Sequence, residues 1–357
     1  MLKSLWFHLT KRRQKQFCML LVLILIASLA EVISIGAILP FLAALTSPEQ
    51  VYQHELAQPF VAFLELKEPK ELILPVTVVF ILAILLSNLI RLVLLYSMTR
   101  LSHGVGADIS INIYRKTLFQ NYLVHSSRNS SEIIDGITAK TNTAVSVLTS
   151  VLMMIISIIM LLGIMIVLFQ INMQVASISI IGFGLIYWLI ISNTRKRLKK
   201  NSNSIAFQSS RRIKVLQEGL GGIRDILIDG SQEFYTNTYK KSDTTFRKAI
   251  GENVFISTAP RYIVEATGMI FIASLAYFMI NQDGVGITVI PVLGAFALGA
   301  QKLLPALQQI YGSYSNINGS KRSFQDVLDL LDQPLPNYVG KFIDKPMDFK
   351  KNISLNN

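Results

Sequence analysis

The chain has 357 residues, of which 51% are hydrophobic and only 16% are charged. About a quarter of the residues in an ordinary soluble domain are charged, so this composition excludes a soluble globular enzyme. The net charge of +12 would indicate a nucleic-acid binder only if the basic residues formed one patch on a soluble face. They alternate instead with long apolar runs, and we expect no nucleic-acid partner.

Cysteine and histidine usage argues against metal or disulfide chemistry. Cys18 is the only cysteine in the sequence, which excludes a disulfide or a cysteine-based metal site within one chain. The four histidines are scattered and lack the spacing of metal ligands. We therefore expect that this chain itself holds no metal and no cofactor.

Six apolar stretches are long enough to cross a bilayer, which takes about 20 apolar residues. Residues 141–194 hold no charged residue, and the polar break at 170–174 divides this run into a predicted helical hairpin. A turn signal at 281–284 separates the last two stretches. The predicted spans are residues 17–45, 72–98, 145–169, 174–194, 255–280 and 285–310.

The distribution of Lys and Arg predicts the orientation of these spans. Of the 34 basic residues, 29 lie in the two terminal segments and the two long inner connections. The opposite loops carry only Lys67 and Lys70, together with an excess of acidic residues. Because basic residues favour the cytoplasmic side, both termini are predicted to be cytoplasmic, in the inner (plasma) membrane.

The inner connections are long and have the composition of helices. Apolar residues recur at roughly helical spacing between residues 195 and 220. A helix from 72 to 122 would be about 75 Å long, far more than the roughly 30 Å of the hydrocarbon core. The predicted fold is therefore an all-α membrane protein whose six transmembrane helices have long cytoplasmic extensions.

Local sequence patterns carry a resemblance to a known family. Residues 215–227 read VLQEGLGGIRDIL and are followed by GSQE at 230–233. Residues 131–137 read SEIIDGI, and residues 302–307 read KLLPAL. Together with six spans and short outer turns, these patterns resemble the transmembrane domain of an exporter-type ABC transporter, over essentially the whole chain.

Within that family, residues 259–265 and 302–305 look most like the flippase for lipid-linked oligosaccharides of bacterial protein glycosylation. The resemblance implies a belt of basic residues, in a cavity open to the cytoplasm, that receives the lipid pyrophosphate. It also implies an external segment that touches the lipid tail, here residues 53–71. The spacing of its apolar residues predicts a short amphipathic helix that ends before Pro69, and the alternative is a loop that rests on the headgroups.

The same resemblance implies partners. The sequence holds no G-x-x-x-x-G-K-[ST] loop, so the chain lacks the cradle that holds ATP phosphates and is not expected to hydrolyse ATP alone. Residues 348–357 resemble the first strand of a nucleotide-binding domain. We expect a transmembrane domain at 1–333, a linker with the truncated start of a nucleotide-binding domain at 334–357, ATP and Mg on that missing domain, and a homodimer.

Five charged residues within the spans are candidate substrate-binding residues: Arg91, Arg261, Lys302, Glu265 and Glu31. The three basic residues lie at similar depths, which favours a shared site for an anion, although a lone cation near a helix end also reaches the headgroups. Glu265 follows Arg261 at i+4 and can pair with it. Glu31 is interpreted either as a partner of Arg91 or as a site for a cation.

The turns of the long inner helices are candidate coupling segments. The resemblance implies that residues 122–129 and 229–237 dock on the ATPase domain, and the alternative is an ordinary turn between helices. The predicted contact residues are Tyr122, His125, Asp229, Phe234 and Tyr235.

The sequence leaves three functions open. The chain is interpreted as the transmembrane half of an ATP-driven exporter or flippase for a lipid-linked anion, such as a lipid-linked oligosaccharide or a glycolipid. A peptide or bacteriocin exporter would have the same architecture. A membrane scaffold without an ATPase partner is the third hypothesis.

Overall fold

The computed structural model describes residues 2–54, 57–171, 173–280, 289–336 and 339. Within these ranges every regular element is helical, which confirms the all-α prediction. The strand expected at 348–357 and the turn expected at 281–284 lie outside the described residues.

The first predicted span forms two helices. The amino-terminal elements are α1 (Leu2–His8), α2 (Lys11–Gly36) and α3 (Ile38–Thr46). The break at Ala37 is slight, because its N–H still donates to the carbonyl of Ile33 at 2.9 Å. Pro40 lies one turn later and has no N–H to donate to Gly36, which explains a break at this point.

The segment that was predicted to be external is less regular than one amphipathic helix. It contains α4 (Pro48–Gln53), α5 (Gln58–Phe63) and a 3-10 turn at Pro69–Leu72. The hydroxyl of Tyr52 donates to the carbonyl of Leu66 at 2.9 Å and holds the segment closed. The side chains of Glu68 and Glu71 form a reciprocal capping box at the turn.

Long helices carry the chain out of the apolar region. The next elements are α6 (Ile73–Leu118), α7 (Tyr122–Ser127), α8 (Ser130–Asp135), a π-helical turn (Gly136–Lys140), α9 (Thr141–Ile171) and α10 (Met173–Gly221). At 1.5 Å per residue, α6 is about 69 Å long and α10 about 73 Å. These lengths agree with the predicted extensions beyond the hydrocarbon core.

A proline also divides the predicted fifth span. The remaining elements are α11 (Ile223–Asp229), α12 (Gln232–Thr258), α13 (Pro260–Ile280), α14 (Val289–Gly319) and α15 (Lys321–Leu331). Span 255–280 therefore comprises the end of α12 and all of α13, with Pro260 in the first position of α13, where a missing N–H costs no helical bond.

The helices pack in two groups that share α14. The first group joins α2, α6, α9 and α15 around a core that contains Ile24, Met98, Val105, Leu152 and Phe324. The second joins α10, α12 and α13 to α14 around Tyr187, Leu198, Ile256, Val264 and Tyr311. Burial of these apolar side chains is the main stabilising contribution within each group.

Three helical segments of the described residues are long and apolar enough to cross a membrane: Lys11–Ser34, Pro69–Leu118 and Ser130–Ile166. They correspond to the first three predicted spans. The remaining three spans stay predictions.

Candidate functional site

Glu31 is buried between α2 and α6, with 4% of its surface exposed. Its carboxylate accepts a hydrogen bond from the hydroxyl of Ser87 at 2.9 Å. Ser87 is one helical turn before Arg91 on α6. The Glu31 carboxylate is therefore bound one turn away from Arg91 along this helix. This hydrogen bond to a buried carboxylate connects α2 to α6.

Arg91 itself is exposed on α6. It has no ion-pair or hydrogen-bond partner among the described residues. Its position is 18 residues after Ile73, which corresponds to about 27 Å along the helix. An exposed guanidinium on an otherwise apolar helix segment is costly in lipid unless water or an anion meets it.

Arg261 and Glu265 form the i,i+4 pair that their spacing predicts. The shortest distance between the guanidinium and the carboxylate is 3.7 Å, and their side chains are 63% and 41% exposed. This distance is beyond a good hydrogen bond, and exposed pairs of this kind contribute little to stability. Arg261 therefore remains accessible to another anion. Lys302 lies on α14, and its side chain is outside the described residues.

The helix packing separates the candidate arginines within one chain. Arg91 lies on α6, which packs on α2 and α9, whereas Arg261 lies on α13, which packs on α14. The predicted basic residues are therefore distributed over both groups of helices. A common cavity for them requires the two groups of one chain, or of two chains, to face each other.

An apolar cavity of about 640 Å³ lies where α3, α4 and α5 meet α6. Its wall includes Pro40, Val76, Val79 and Phe80, with His54 among the few polar side chains. Phe41 stacks on Phe80 with ring centroids 4.5 Å apart and strengthens the contact between α3 and α6. This cavity has the volume and apolar character of a small-molecule site.

A buried polar cluster in the long helical extensions was not predicted. Asp135 is fully buried and accepts hydrogen bonds from the hydroxyls of Ser209 at 2.7 Å and Ser210 at 2.8 Å. The ammonium group of Lys140 lies 3.5 Å from Asp135 and 2.7 Å from Asp326. The cluster thereby joins α8 and the π-helical turn to α10 and α15.

Arg322 extends this cluster along α15. Its guanidinium lies 3.2 Å from Asp326, and its backbone N–H donates to the hydroxyl of Ser202 on α10 at 3.0 Å. The only sequence signal for the cluster was two charges, Asp135 and Lys140, close to a long apolar run. Their partners are too distant in sequence for spacing to indicate them.

The predicted first coupling segment is a separate short helix. Tyr122 begins α7 and is 82% exposed, and Leu123 beside it is 79% exposed. His125 lies in the same helix and is half-buried. The tip therefore presents apolar side chains to the outside of the chain.

The second predicted coupling segment, residues 229–237, comprises the end of one helix and the start of the next. The short helix is α11, which ends at Asp229 and precedes Gly230, whose φ is 64°. Phe234 and Tyr235 lie instead in the first turns of the long helix α12. The exposed apolar side chains that the prediction missed are Leu220, Ile223, Leu227 and Ile228. Their helical spacing continues from α10, which concealed the break at Gly222.

Within the described ranges, no group of three His, Cys, Asp or Glu side chains lies close enough together to hold a metal ion. The described residues supply exposed cations on apolar helices, apolar cavities and buried polar side chains that connect helices. These are the features of a multi-pass α-helical membrane protein.

Comparison with known proteins gives the family. Residues 17–297 match the ABC transporter transmembrane region, and the chain belongs to this family. It is 24% identical over 316 residues to the heterocyst differentiation ATP-binding protein HepA of Nostoc sp. (strain PCC 7120). The match covers 87% of this chain and 51% of that protein, so the chain spans about half the length of this relative.

Proposed function

We propose that this chain is the transmembrane half of an ATP-driven exporter that moves a lipid-linked anion, such as a lipid-linked oligosaccharide or glycolipid, across the inner membrane. Both termini are cytoplasmic in this proposal. The observation that carries the proposal is the exposed Arg91, which is unpartnered among the described residues and lies on an apolar membrane helix. Such a charge is stable there when water or an anionic ligand surrounds it.

Arg261 is the second proposed phosphate contact. Its exposed side chain is only weakly paired with Glu265. Two arginines, joined by Lys302 on α14, supply the charge-assisted hydrogen bonds that phosphate groups accept. Since Arg91 and Arg261 belong to different helix groups, the complete site is proposed to form in a dimer of two copies of this chain.

The apolar cavity under α4 and α5 supports the proposal that the substrate carries a lipid chain. Its wall between α3 and α6 is largely apolar, which suits an acyl or polyprenyl chain. A peptide substrate would make more use of polar groups than this wall offers.

ATP is proposed to act through a separate nucleotide-binding domain that carries the ATP and Mg. The matched relative is described as an ATP-binding protein and is about twice as long as the matched region. The exposed apolar residues of α7 and α11 supply a docking surface for such a domain, because buried aromatic and aliphatic side chains dominate the binding energy of interfaces. Closure of paired nucleotide domains would then move α6 and α10 as rigid levers.

The test reconstitutes the chain with its nucleotide-binding domain in liposomes and measures ATPase stimulation by a polyprenyl-pyrophosphate glycan. We expect stimulation in the wild type and its loss in Arg91→Ala and Arg261→Ala. Arg197→Ala is the matched control, because Arg197 is exposed on α10 in the basic segment beyond the apolar run. It should keep full stimulation.

ATPase stimulation is then measured with a lipid that lacks the glycan and with a lipid that lacks the pyrophosphate. The comparison shows which part of the substrate the protein recognises. Stimulation by the pyrophosphate lipid that survives both arginine substitutions would contradict the cationic site. Stimulation by peptides and not by any phosphate lipid would overturn the lipid substrate and favour a peptide exporter of the same fold.

A further inference from the structure

A second groove lies between α2 and α6, away from the proposed substrate site. It has a volume of about 550 Å³ and is lined at one end by Arg12, Arg13 and Arg100. Arg100 is nine residues after Arg91, which places it about 14 Å further along α6. The groove thus lies where the helices leave the apolar region on the side of the amino terminus.

Arg13 is fixed in the wall of this groove. Its guanidinium lies 2.8 Å from the carboxylate of Asp108 and donates to the side chain of Gln16 at 3.1 Å. Gly104 makes room for it, since a Cβ there would lie 2.8 Å from two guanidinium nitrogens. The charge of Arg13 is therefore largely offset, and its packing holds α2 against α6.

Arg12 and Arg100 differ from Arg13 in having no ion-pair partner. Both side chains are exposed, and no carboxylate of the described residues lies within ion-pair distance of either. Arg100 donates a hydrogen bond to the hydroxyl of Tyr96 at 2.8 Å, which restrains it at the rim. Two positive charges therefore face the groove without a compensating carboxylate among the described residues.

The opposite end of the groove is apolar. Met19, Leu20 and Leu23 of α2 line it and continue into the first membrane segment. A shallower depression next to it adds Lys11 and Lys15 to the rim. The groove thus combines several cations at the water side with an apolar wall toward the hydrocarbon.

We propose that this groove binds an anionic phospholipid of the leaflet on the amino-terminal side. Arg12 and Arg100 bind the headgroup phosphate, and Met19 and Leu23 contact the first part of an acyl chain. Basic pockets between membrane helices recognise anionic headgroups in this way. A soluble phosphate would leave the apolar wall exposed, which is why the proposal commits to a lipid. The bound lipid stabilises the contact between α2 and α6 without entering the transport pathway.

Lipid binding to the delipidated full chain in detergent tests this proposal. Native mass spectrometry would measure the dissociation constants of phosphatidylglycerol and of phosphatidylcholine with the same acyl chains. We expect the wild type to prefer phosphatidylglycerol, and the double variant Arg12→Ala/Arg100→Ala to bind it roughly tenfold more weakly or worse, with phosphatidylcholine unchanged. Arg12→Lys/Arg100→Lys should keep most of the preference.

The matched control is Arg195→Ala/Arg197→Ala, which removes two exposed arginines from α10 and should leave the preference intact. An equal loss in this control would show a general charge effect and overturn the assigned site. Glycerol phosphate is the headgroup without chains, and binding of it as tightly as the lipid would overturn the lipid assignment. A phosphatidylglycerol affinity that is unchanged in Arg12→Ala/Arg100→Ala would overturn the assigned site. None of these binding measurements depends on which substrate the protein transports.

Discussion

The ammonium group of Lys140 lies 2.7 Å from the carboxylate of Asp326, although 186 positions separate the two residues in sequence. Lys140 closes the π-helical turn before α9, and Asp326 lies in the middle of α15. Asp135 is on the other side of the lysine, at 3.5 Å. One cation thus connects the start of α9 with α15, the helix that follows α14.

Substitution of Lys140 by Met should destabilise the protein strongly. Asp135 is fully buried and Lys140 is 8% exposed, so the substitution leaves the Asp135 carboxylate buried without its cation. Breaking a buried pair in this way costs about 3–5 kcal/mol. Thermal unfolding of the purified chain in detergent, followed by circular dichroism, would measure the shift in melting temperature.

The control for this prediction is Lys214→Met. Lys214 lies 3.8 Å from Glu218, and both side chains are about half exposed, so its loss should cost less than about 1 kcal/mol. A Lys140→Met variant as stable as this control would show that the buried cluster contributes nothing to stability.

Ser87→Ala removes a donor to the buried Glu31 carboxylate. Hydrogen bonds to charged groups contribute about 1.5–3 kcal/mol, and we expect a loss of this order in the same unfolding measurement. Ser102→Ala is a matched control on α6, because the Ser102 hydroxyl is also buried but has no hydrogen-bond partner among the described residues. Its removal should be neutral or stabilising. Equal effects of the two substitutions would mean that the Glu31 contact is energetically unimportant.

Gly106→Ala should be destabilising because α6 approaches α9 closely at this point. A Cβ on Gly106 would lie 2.3 Å from a methyl group of Val145, and a β-branched side chain has little freedom to move away. Overpacking of this kind costs about 1–3 kcal/mol. Adding Val145→Ala should restore part of the loss, which a double-mutant cycle would measure.

Gly251→Ala provides the comparison for this effect. No atom lies within 4 Å of a Cβ built at Gly251 in α12, so Ala there should stabilise the helix by about 0.5–1 kcal/mol. Destabilisation of the same size at both glycines would point to a general loss of helix flexibility and contradict the close approach at Gly106.

The sequence predicted the long helices because apolar runs and helical composition are local signals. It also predicted the Arg261–Glu265 pair, whose spacing places both residues on one helix face. The breaks at Ala37 and Ala259 were missed although Pro40 and Pro260 indicated them, because hydropathy continues across both. The contact between Lys140 and Asp326 could not be predicted, since no local sequence pattern links the two residues. The break at Gly222 between α10 and α11 was not predicted, because the apolar spacing of α10 continues through it.

The exposed apolar face of α11 gives the sharpest test of coupling. Leu227 and Ile228 are 62% and 73% exposed, and folding of this chain does not explain two such side chains on a seven-residue helix. If they dock on the proposed nucleotide-binding domain, Leu227→Asp/Ile228→Asp should weaken the association of the two parts and abolish stimulated ATPase activity, because both anchors become charged. The melting temperature of the isolated chain should hardly change, since neither side chain is buried in it.

Ile111→Asp is the control for this last prediction. Ile111 is 65% exposed on α6, seven residues before the end of that helix and outside both short tip helices. Co-purification with the nucleotide-binding domain and stimulated ATPase activity should both persist in this variant. If α11 is not a docking surface, the Leu227→Asp/Ile228→Asp variant will retain the domain as well as Ile111→Asp does. The exposed residues of α7, among them Tyr122 and Leu123, would then be the surface to test next, because they form the other apolar tip of the long helical extensions.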